Sequence, residues 1–319
     1  MVRPRAWLGL AAAWWSLETV VAQSTTAAAA SAASPIAGVP SGGQCASPEM
    51  RQEWRQGTEA QRQAYLSAVK VLKSRTGSSG SITNPATASW DDFVKVHWDH
   101  VAEAHGVPAF LPWHRAYLHM FHQALKSVDP TVPLFYWDWR LDSQNLAGSD
   151  ILGASAFGGG GAAPDYCVTT GAFAGWQVAF PASPTRPNTN ACLARQFNFG
   201  AGYDPTAIAN MYTISGDFET LRSKIEGGPH GTIHNGVGGP WGDMTQMYST
   251  NDPLFFMHHG MIDKLWHDWQ VQCEDFQRSY QGKNPDGSTA ATTDVLKPYG
   301  WTVGQMLQTR GGTPLCYGY

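Results

Sequence analysis

Apolar positions recur at helical spacing in several windows of the chain, separated by stretches dense in Gly, Pro and polar residues. Thr58 and Gln61 form a capping-box pattern, and Tyr65, Ala68, Val69 and Leu72 follow at steps of three and four, so a helix is expected from 58 onward. Ser89 can cap a helix with Phe93, His97, Val101 and Ala104 along one face, and Pro112 opens another with His114, Leu118, Phe121 and Leu125. Ser47-Pro48-Glu49 reads as a further N-cap followed by Pro at the first helical position. Helical patterning returns over 219–226 and 252–271. The stretch 148–216, rich in Gly, Pro and Asn, reads as long loops around Cys167 and Cys192. A mixed tail follows over 294–318, with Val303, Met306, Leu307 and Leu315. The pattern is mainly α with long loops, and with no internal repeat or interdomain linker after 45 it predicts a single domain over 45–319.

The N-terminus has a different character. Arg3 and Arg5, an apolar run from Trp7 to Trp15 and the small-residue step Val20-Val21-Ala22 predict a signal peptide over 1–22. The run falls short of the ~20 apolar residues a bilayer span needs, and no later stretch is long and uncharged enough, so a secreted, extracellular protein is expected. Residues 23–44, dominated by Ser, Thr, Ala and Gly, read as a flexible lead-in.

Composition narrows the partners. Hydrophobic residues make up 43% and charged residues 14%, against about 25% charged in an average soluble protein, so a large core is available and global disorder is excluded. A net charge of −4 without a basic stripe argues against nucleic acid. No membrane association and no obligate protein partner is expected. The five cysteines contain no Cys-x-x-Cys pair, which disfavours zinc ribbons and thioredoxin-type sites. In an exported protein two disulfides and one leftover thiol are the simplest outcome, with the pairing open.

Candidate chemistry lies in the 11 histidines, most of which fall in two windows, 97–122 and 230–259. His230 and His234 stand four apart, which on a helix places both imidazoles on one face at a separation one metal ion can bridge. A zinc protease would carry Glu directly after the first of these, where this chain has Gly231, so that mechanism lacks its general base. His258 and His259 open a helix that continues to Asp263, four residues on. Asp263 is expected to hydrogen-bond a nearby ligand imidazole. The first window contributes His97, His105 and His114. Three imidazoles per window, without thiolates or a carboxylate set, suit copper or zinc and not calcium, magnesium or iron–sulfur clusters, and two such trios suggest two metals.

These strings carry a resemblance. His105-Gly-Val-Pro-Ala-Phe-Leu-Pro-Trp-His114-Arg-Ala-Tyr, Phe135-Tyr-Trp-Asp-Trp139, the His230/His234 pair and Asn251-Asp-Pro-Leu-Phe-Phe-Met-His-His259 through Asp263-Lys-Leu-Trp266 resemble the type 3 dicopper proteins. Those are the tyrosinases, catechol oxidases and molluscan-type haemocyanins, with the short secreted fungal tyrosinases nearest. The resemblance runs in order over 90–270 and implies a four-helix core with minor β that holds two copper ions, uses O2 and acts on small phenols. It implies that His97, His105 and His114 hold the first copper and His230, His234 and His259 the second. His258 would pack beside its neighbour. His100 shares a helix face with His97 and spacing alone does not exclude it, but the family's Asp-Phe-Val-x-x-His string, present here as Asp92 to His97, selects His97. His119, His122 and His267 are read as non-ligands.

The resemblance also implies that Glu226 matches an acidic residue holding a water near the second copper and assisting proton removal. Phe255 matches an aromatic position packed against the copper site, and Met261, Gly231 and Asn235 are placed beside the site or along the substrate approach. Two departures bear on the reaction. Several relatives link a Cys to a histidine of the first site by a thioether, where this chain has Glu103. Monophenol hydroxylases of the family often carry Asn directly after the first histidine of the second site, where this chain has Gly231, and Asn235 is a speculative substitute. Oxidation of o-diphenols to o-quinones, with o-aminophenols as a further candidate substrate and weak or no hydroxylation of monophenols, is therefore expected. The rivals are a tyrosinase with strong monophenol activity and an oxygen carrier. The short stretch after Trp266 leaves little chain to shield the site and favours an enzyme over a carrier.

Overall fold

The structure, a computed structural model, describes residues 45–77, 79–181, 191–311 and 314–319. The expected signal peptide and lead-in lie outside the described residues. The capping signals at 58 and 89 act as predicted. Thr58 accepts the Gln61 N–H and Gln61 answers the Thr58 N–H at the start of α1 (Glu59–Ser74), and Ser89 and Asp92 do the same for α2 (Trp90–Asp99). The face expected to run from Phe93 to Ala104 is broken at His100, whose backbone leaves the helical region, so α2 is followed by a separate short α3 (Val101–Ala104). Helix α4 (Phe110–Lys126) opens two residues before Pro112. Pro is tolerated there because first-turn N–H groups have no intrahelical acceptor.

Within the stretch read as loops, Asp204 caps a helix with Pro205 at its first position, α5 (Pro205–Thr213). Apart from a 3-10 turn at Asp150–Leu152, the rest of that stretch, where described, is largely irregular and is pinned by the Cys167–Cys192 disulfide. Next come α6 (Phe218–Ile225), an irregular helical turn over Glu226–His230, α7 (Gly231–Gly238), α8 (Leu254–Gln270), α9 (Glu274–Arg278) and α10 (Val303–Met306).

The expected helix at Ser47-Pro48-Glu49 is absent. Glu49–Met50 is strand β1, because the Cys45–Cys316 disulfide sets it alongside the C-terminal segment. Strand β2 (Gln52–Glu53) pairs in parallel with β3 (Phe135–Tyr136), β4 (Val295–Leu296) pairs antiparallel with β5 (Trp301–Thr302), and β1 pairs in parallel with β6 (Tyr317–Gly318). Cys273 is free and exposed, so the cysteines resolve into two disulfides and one thiol.

The core is mainly α, and α4 packs directly on α8. Phe121 stacks on Phe256 with ring centroids 3.5 Å apart, and Phe93, Trp90 and Tyr117 close around the same pair. Gly260 lets α8 lie against β3, since a Cβ there would come within 2.9 Å of the Tyr136 Cβ. No helix among the described residues is long and apolar enough to cross a membrane.

Candidate metal centre

Four helices, the C-cap of the short α3 and one irregular turn deliver the histidines. His97 sits in the last turn of α2, His105 caps α3 and His114 lies in the second turn of α4. Their ring nitrogens gather within 4.8 Å of one another. His230 ends the irregular turn before α7, His234 follows one turn later, and their rings stand 4.5 Å apart. With His258 and His259 of α8 they form a second such group. The two groups meet where the rings of His114 and His259 stack at 4.4 Å and 17°. His100 is outside: its ring lies against Trp113 and its Nδ1 is 3.8 Å from Glu103. His119 lies against Trp301, His122 bonds the Val132 carbonyl at 3.1 Å and His267 lies against Tyr319, all away from both groups.

Hydrogen bonds set the tautomers. Nδ1 of His97 faces the Met247 carbonyl at 3.0 Å, that of His105 the Val101 carbonyl at 3.2 Å, and that of His114 the Phe110 carbonyl at 2.8 Å. Nδ1 of His230 faces the Glu226 carbonyl at 3.1 Å and that of His234 the Met244 carbonyl at 2.7 Å. A carbonyl only accepts, so each of these five nitrogens carries the proton and each Nε2 keeps a lone pair aimed into the cluster. The Nε2 atoms of His97, His114 and His230 are buried with no hydrogen-bond partner. Buried polar atoms normally find a partner, and a cation accepted by these lone pairs would supply one. The donor set is all imidazole nitrogen, which fits copper.

Burial pushes every one of these histidines below the usual range, His105 and His234 to about 4, so all are neutral near pH 7, as metal ligation requires. His259 differs from the five. Its Nδ1 has no partner, and its Nε2 lies 3.2 Å from the Nε2 of His234. His258 stacks on His230 with centroids 5.6 Å apart, and its two ring nitrogens are buried beside the same group without a hydrogen-bond partner.

Phe255 lies between the groups, stacked on His259 at 4.1 Å and edge-on to His97 at 4.9 Å. Phe110, which the pattern alone did not single out, contacts His114 at 4.9 Å and His230 at 4.8 Å. These two rings pack against imidazoles of both groups and so constrain their planes. The centre is least covered near half-buried His105, beside exposed Gly106 and Gly227 and half-buried Gly231.

Two expectations change. Asp263 bonds no imidazole. Its carboxylate accepts Arg115 Nε at 2.5 Å, Arg51 Nη1 at 2.6 Å and the hydroxyls of Tyr317 and Tyr319 at 2.5 and 2.6 Å, and these cations hold its pKa down at about 2 despite burial. It ties both ends of the described chain to the α4–α8 pair. Met261, two residues past His259, is turned about 200° around α8 and is buried in the core instead of facing the site. Asn235 is exposed on α7.

Glu226 is mostly buried, and both of its carboxylate oxygens are engaged. Oε1 accepts the Gly106 N–H at 2.6 Å and Oε2 accepts Arg222 Nη1 at 2.5 Å. Burial raises its pKa, opposed by the Gly106 amide and the Arg222 charge. No motif in the sequence singles out Arg222, four residues before Glu226; the i,i+4 charge pair is its one visible signal.

Residues 87–272 match the family model described as the common central domain of tyrosinase. Over 299 residues the chain is 35% identical to tyrosinase ustQ of Aspergillus flavus, spanning 86% of this chain and 80% of that one. It is 31% identical over 315 residues to tyrosinase-like protein phomQ1 of Diaporthe leptostromiformis, spanning 86% and 78%. A variant of polyphenol oxidase from Thermothelomyces thermophila has a similar structure, with a TM-score of 0.68 at 25% identity over 85% of this chain and 88% of that one. Mushroom tyrosinase shares the fold, with a TM-score of 0.60 at 17% identity over 88% and 91%.

Proposed function

The chain belongs to the tyrosinase family of type 3 copper proteins, and from that premise we propose that it uses O2 to oxidise o-diphenols to o-quinones, with weak activity on monophenols. Two copper ions, one held by His97, His105 and His114 and the other by His230, His234 and His259, would supply O2 binding and electron transfer. The chain's own residues supply the rest. Neutral imidazoles, oriented by backbone carbonyls, hold the metals without themselves titrating near pH 7.

The preference for diphenols rests on the surroundings of Glu226. A substrate phenol must give up its proton near the metals, and a nearby carboxylate is the group to take it, directly or through a water. Here burial makes that carboxylate a better base than a free one, but both of its oxygens are already engaged, by the Gly106 amide and the Arg222 guanidinium, so neither is free to accept a substrate proton without giving up a partner. Gly231, beside it, offers no side-chain acceptor that could polarise a water. A catechol is more acidic than a monophenol and needs less help. Each catechol gives up two electrons and two protons, and two turnovers reduce one O2 to water.

We further propose that the protein is secreted, a reading supported by the charged and apolar character of 1–22 and by two disulfides, which persist in oxidising compartments. Oxygen uptake by the copper-loaded protein on dopamine and on tyramine tests the substrate reading. Faster uptake on dopamine, without a lag, is expected; equal rates on tyramine would overturn the diphenol preference.

A further inference from the structure

Glu226 joins the two histidine groups. Its side chain holds the Gly106 N–H, and Gly106 directly follows His105; its backbone carbonyl holds Nδ1 of His230. The rings of His105 and His230 stand 6.2 Å apart, so this one residue spans the step from the first group to the second. The turn that brings the amide round needs a left-handed residue, and Gly106 supplies it at φ +69°.

Among the five proposed ligands whose Nδ1 faces a backbone carbonyl, His105 has the least regular setting. It ends a four-residue helix and is half-buried where the other five are buried, and its Nδ1–carbonyl bond of 3.2 Å is the longest of the five such bonds. What fixes its loop from the other side is the Gly106–Glu226 bond. That bond depends in turn on Arg222, which is 7% exposed and lies on α6. The guanidinium donates from Nη1 to Glu226, and from Nε to Glu219 at 3.1 Å, with Nη2 on the other Glu219 oxygen. Gly282 leaves room for Glu219 there, since a Cβ would come within 3.0 Å of its Oε2. Without the guanidinium, Oε2 of a carboxylate only 14% exposed loses its charged partner, and nothing on the α6 side keeps the side chain aimed at Gly106. Turning toward solvent breaks its bond to Gly106.

We infer that Arg222 is a positioning residue for the metal centre: by anchoring Glu226 against the Gly106 amide it fixes the His105 loop opposite His230 and so sets the spacing of the two sites. The inference rests on reading the histidine groups as copper sites, and the test separates the two. Arg222→Met and Arg222→Lys are compared with the unaltered protein in two assays. Hydrogen exchange of the Gly106 amide is followed without metal, and copper release to a chelator is followed after loading. In Arg222→Met the Gly106 amide is expected to exchange about tenfold faster, and one of the two coppers to leave about tenfold faster while the other leaves at the normal rate, the size usual for losing a group that orients a ligand. Arg222→Lys, which keeps the charge and loses the fork, is expected to fall between.

Normal Gly106 exchange together with normal copper release would overturn the inference. So would equal acceleration of both coppers with a lowered Tm, which would mark general loosening. Faster Gly106 exchange in a protein that takes up no copper would support the hold on the loop and defeat the copper reading. Should Arg222→Met fail to fold, Glu219→Gln, which frees the far side of the guanidinium, is expected to give the same one-copper pattern at smaller amplitude, and normal Gly106 exchange there overturns the inference.

Discussion

Replacing Gly231 with Asn puts a side-chain amide beside Glu226 at the least covered edge of the centre. The backbone there is right-handed helical, φ −62° and ψ −35°, so a side chain brings no strain. A Cβ would meet only the Glu226 carbonyl oxygen, at an ordinary contact distance of 3.6 Å. In a helix Asn costs a few tenths of a kcal/mol less than Gly, so stability should hold or rise slightly. The effect on rate has a ceiling: one hydrogen bond to a charged group is worth about 1.5–3 kcal/mol, or about 10- to 100-fold. Because the Glu226 carboxylate stays committed to Gly106 and Arg222, the lower end is expected. The monophenol rate should rise about tenfold relative to the diphenol rate. Oxygen uptake on tyramine and dopamine, with copper content measured on the same samples, gives that ratio. An unchanged ratio at full copper content would refute the argument that the missing acceptor at Gly231 limits hydroxylation.

Other outcomes follow from the same geometry. Glu226→Gln should lower both rates, the monophenol rate more, since it removes the charge while keeping an oxygen for Gly106; a selective fall on dopamine would contradict its assigned role. His97→Ala should lose most of one copper and nearly all oxidation, whereas His100→Ala should keep both coppers, read by metal analysis after dialysis; the reverse pattern would reassign the first site. The pKa of Asp263 is depressed from 3.8 to about 2, so its contribution is complete above the unfolded value and lost as pH falls from about 4 to 2. At 1.36 kcal/mol per unit this amounts to about 2 kcal/mol. Asp263→Asn should therefore be several kcal/mol less stable at pH 5, where it strands Arg51 and Arg115, and the gap should narrow by about 1.5 kcal/mol by pH 2.5 in denaturant titrations. A gap independent of pH would contradict the account of that cluster.

Signals that act within a few residues were legible in the chain. The capping boxes at Thr58 and Ser89 and the i,i+4 pair His230/His234 all appear where the spacing puts them, because each is closed by a bond across one helical turn. Features decided by distant partners were not. Asp263 was placed on a helix face shared with His259, but Arg51, Tyr317 and Tyr319 reach it from segments more than 50 residues away in sequence, and two cations outcompete a neutral imidazole for a carboxylate. Strand β1 exists because its partner is the C-terminal strand, which overrides a local Ser-Pro cap signal. The choice between His97 and His100 was open to spacing and was made by resemblance alone; the break at His100 is what turns the latter out of the cluster. The helix at 205–213 had a readable cap, Asp204 before Pro205, that the Gly- and Pro-rich surroundings concealed.

Copper titration of the metal-free protein, followed by metal analysis of the desalted product, tests the central claim most directly. Two independent groups of buried lone pairs predict saturation at two coppers per chain, with no copper exchanged by a ten-fold excess of zinc at the end point required for the count to stand. Saturation at one copper per chain would show that the seven clustered imidazoles form a single site, and would contradict the two-site account.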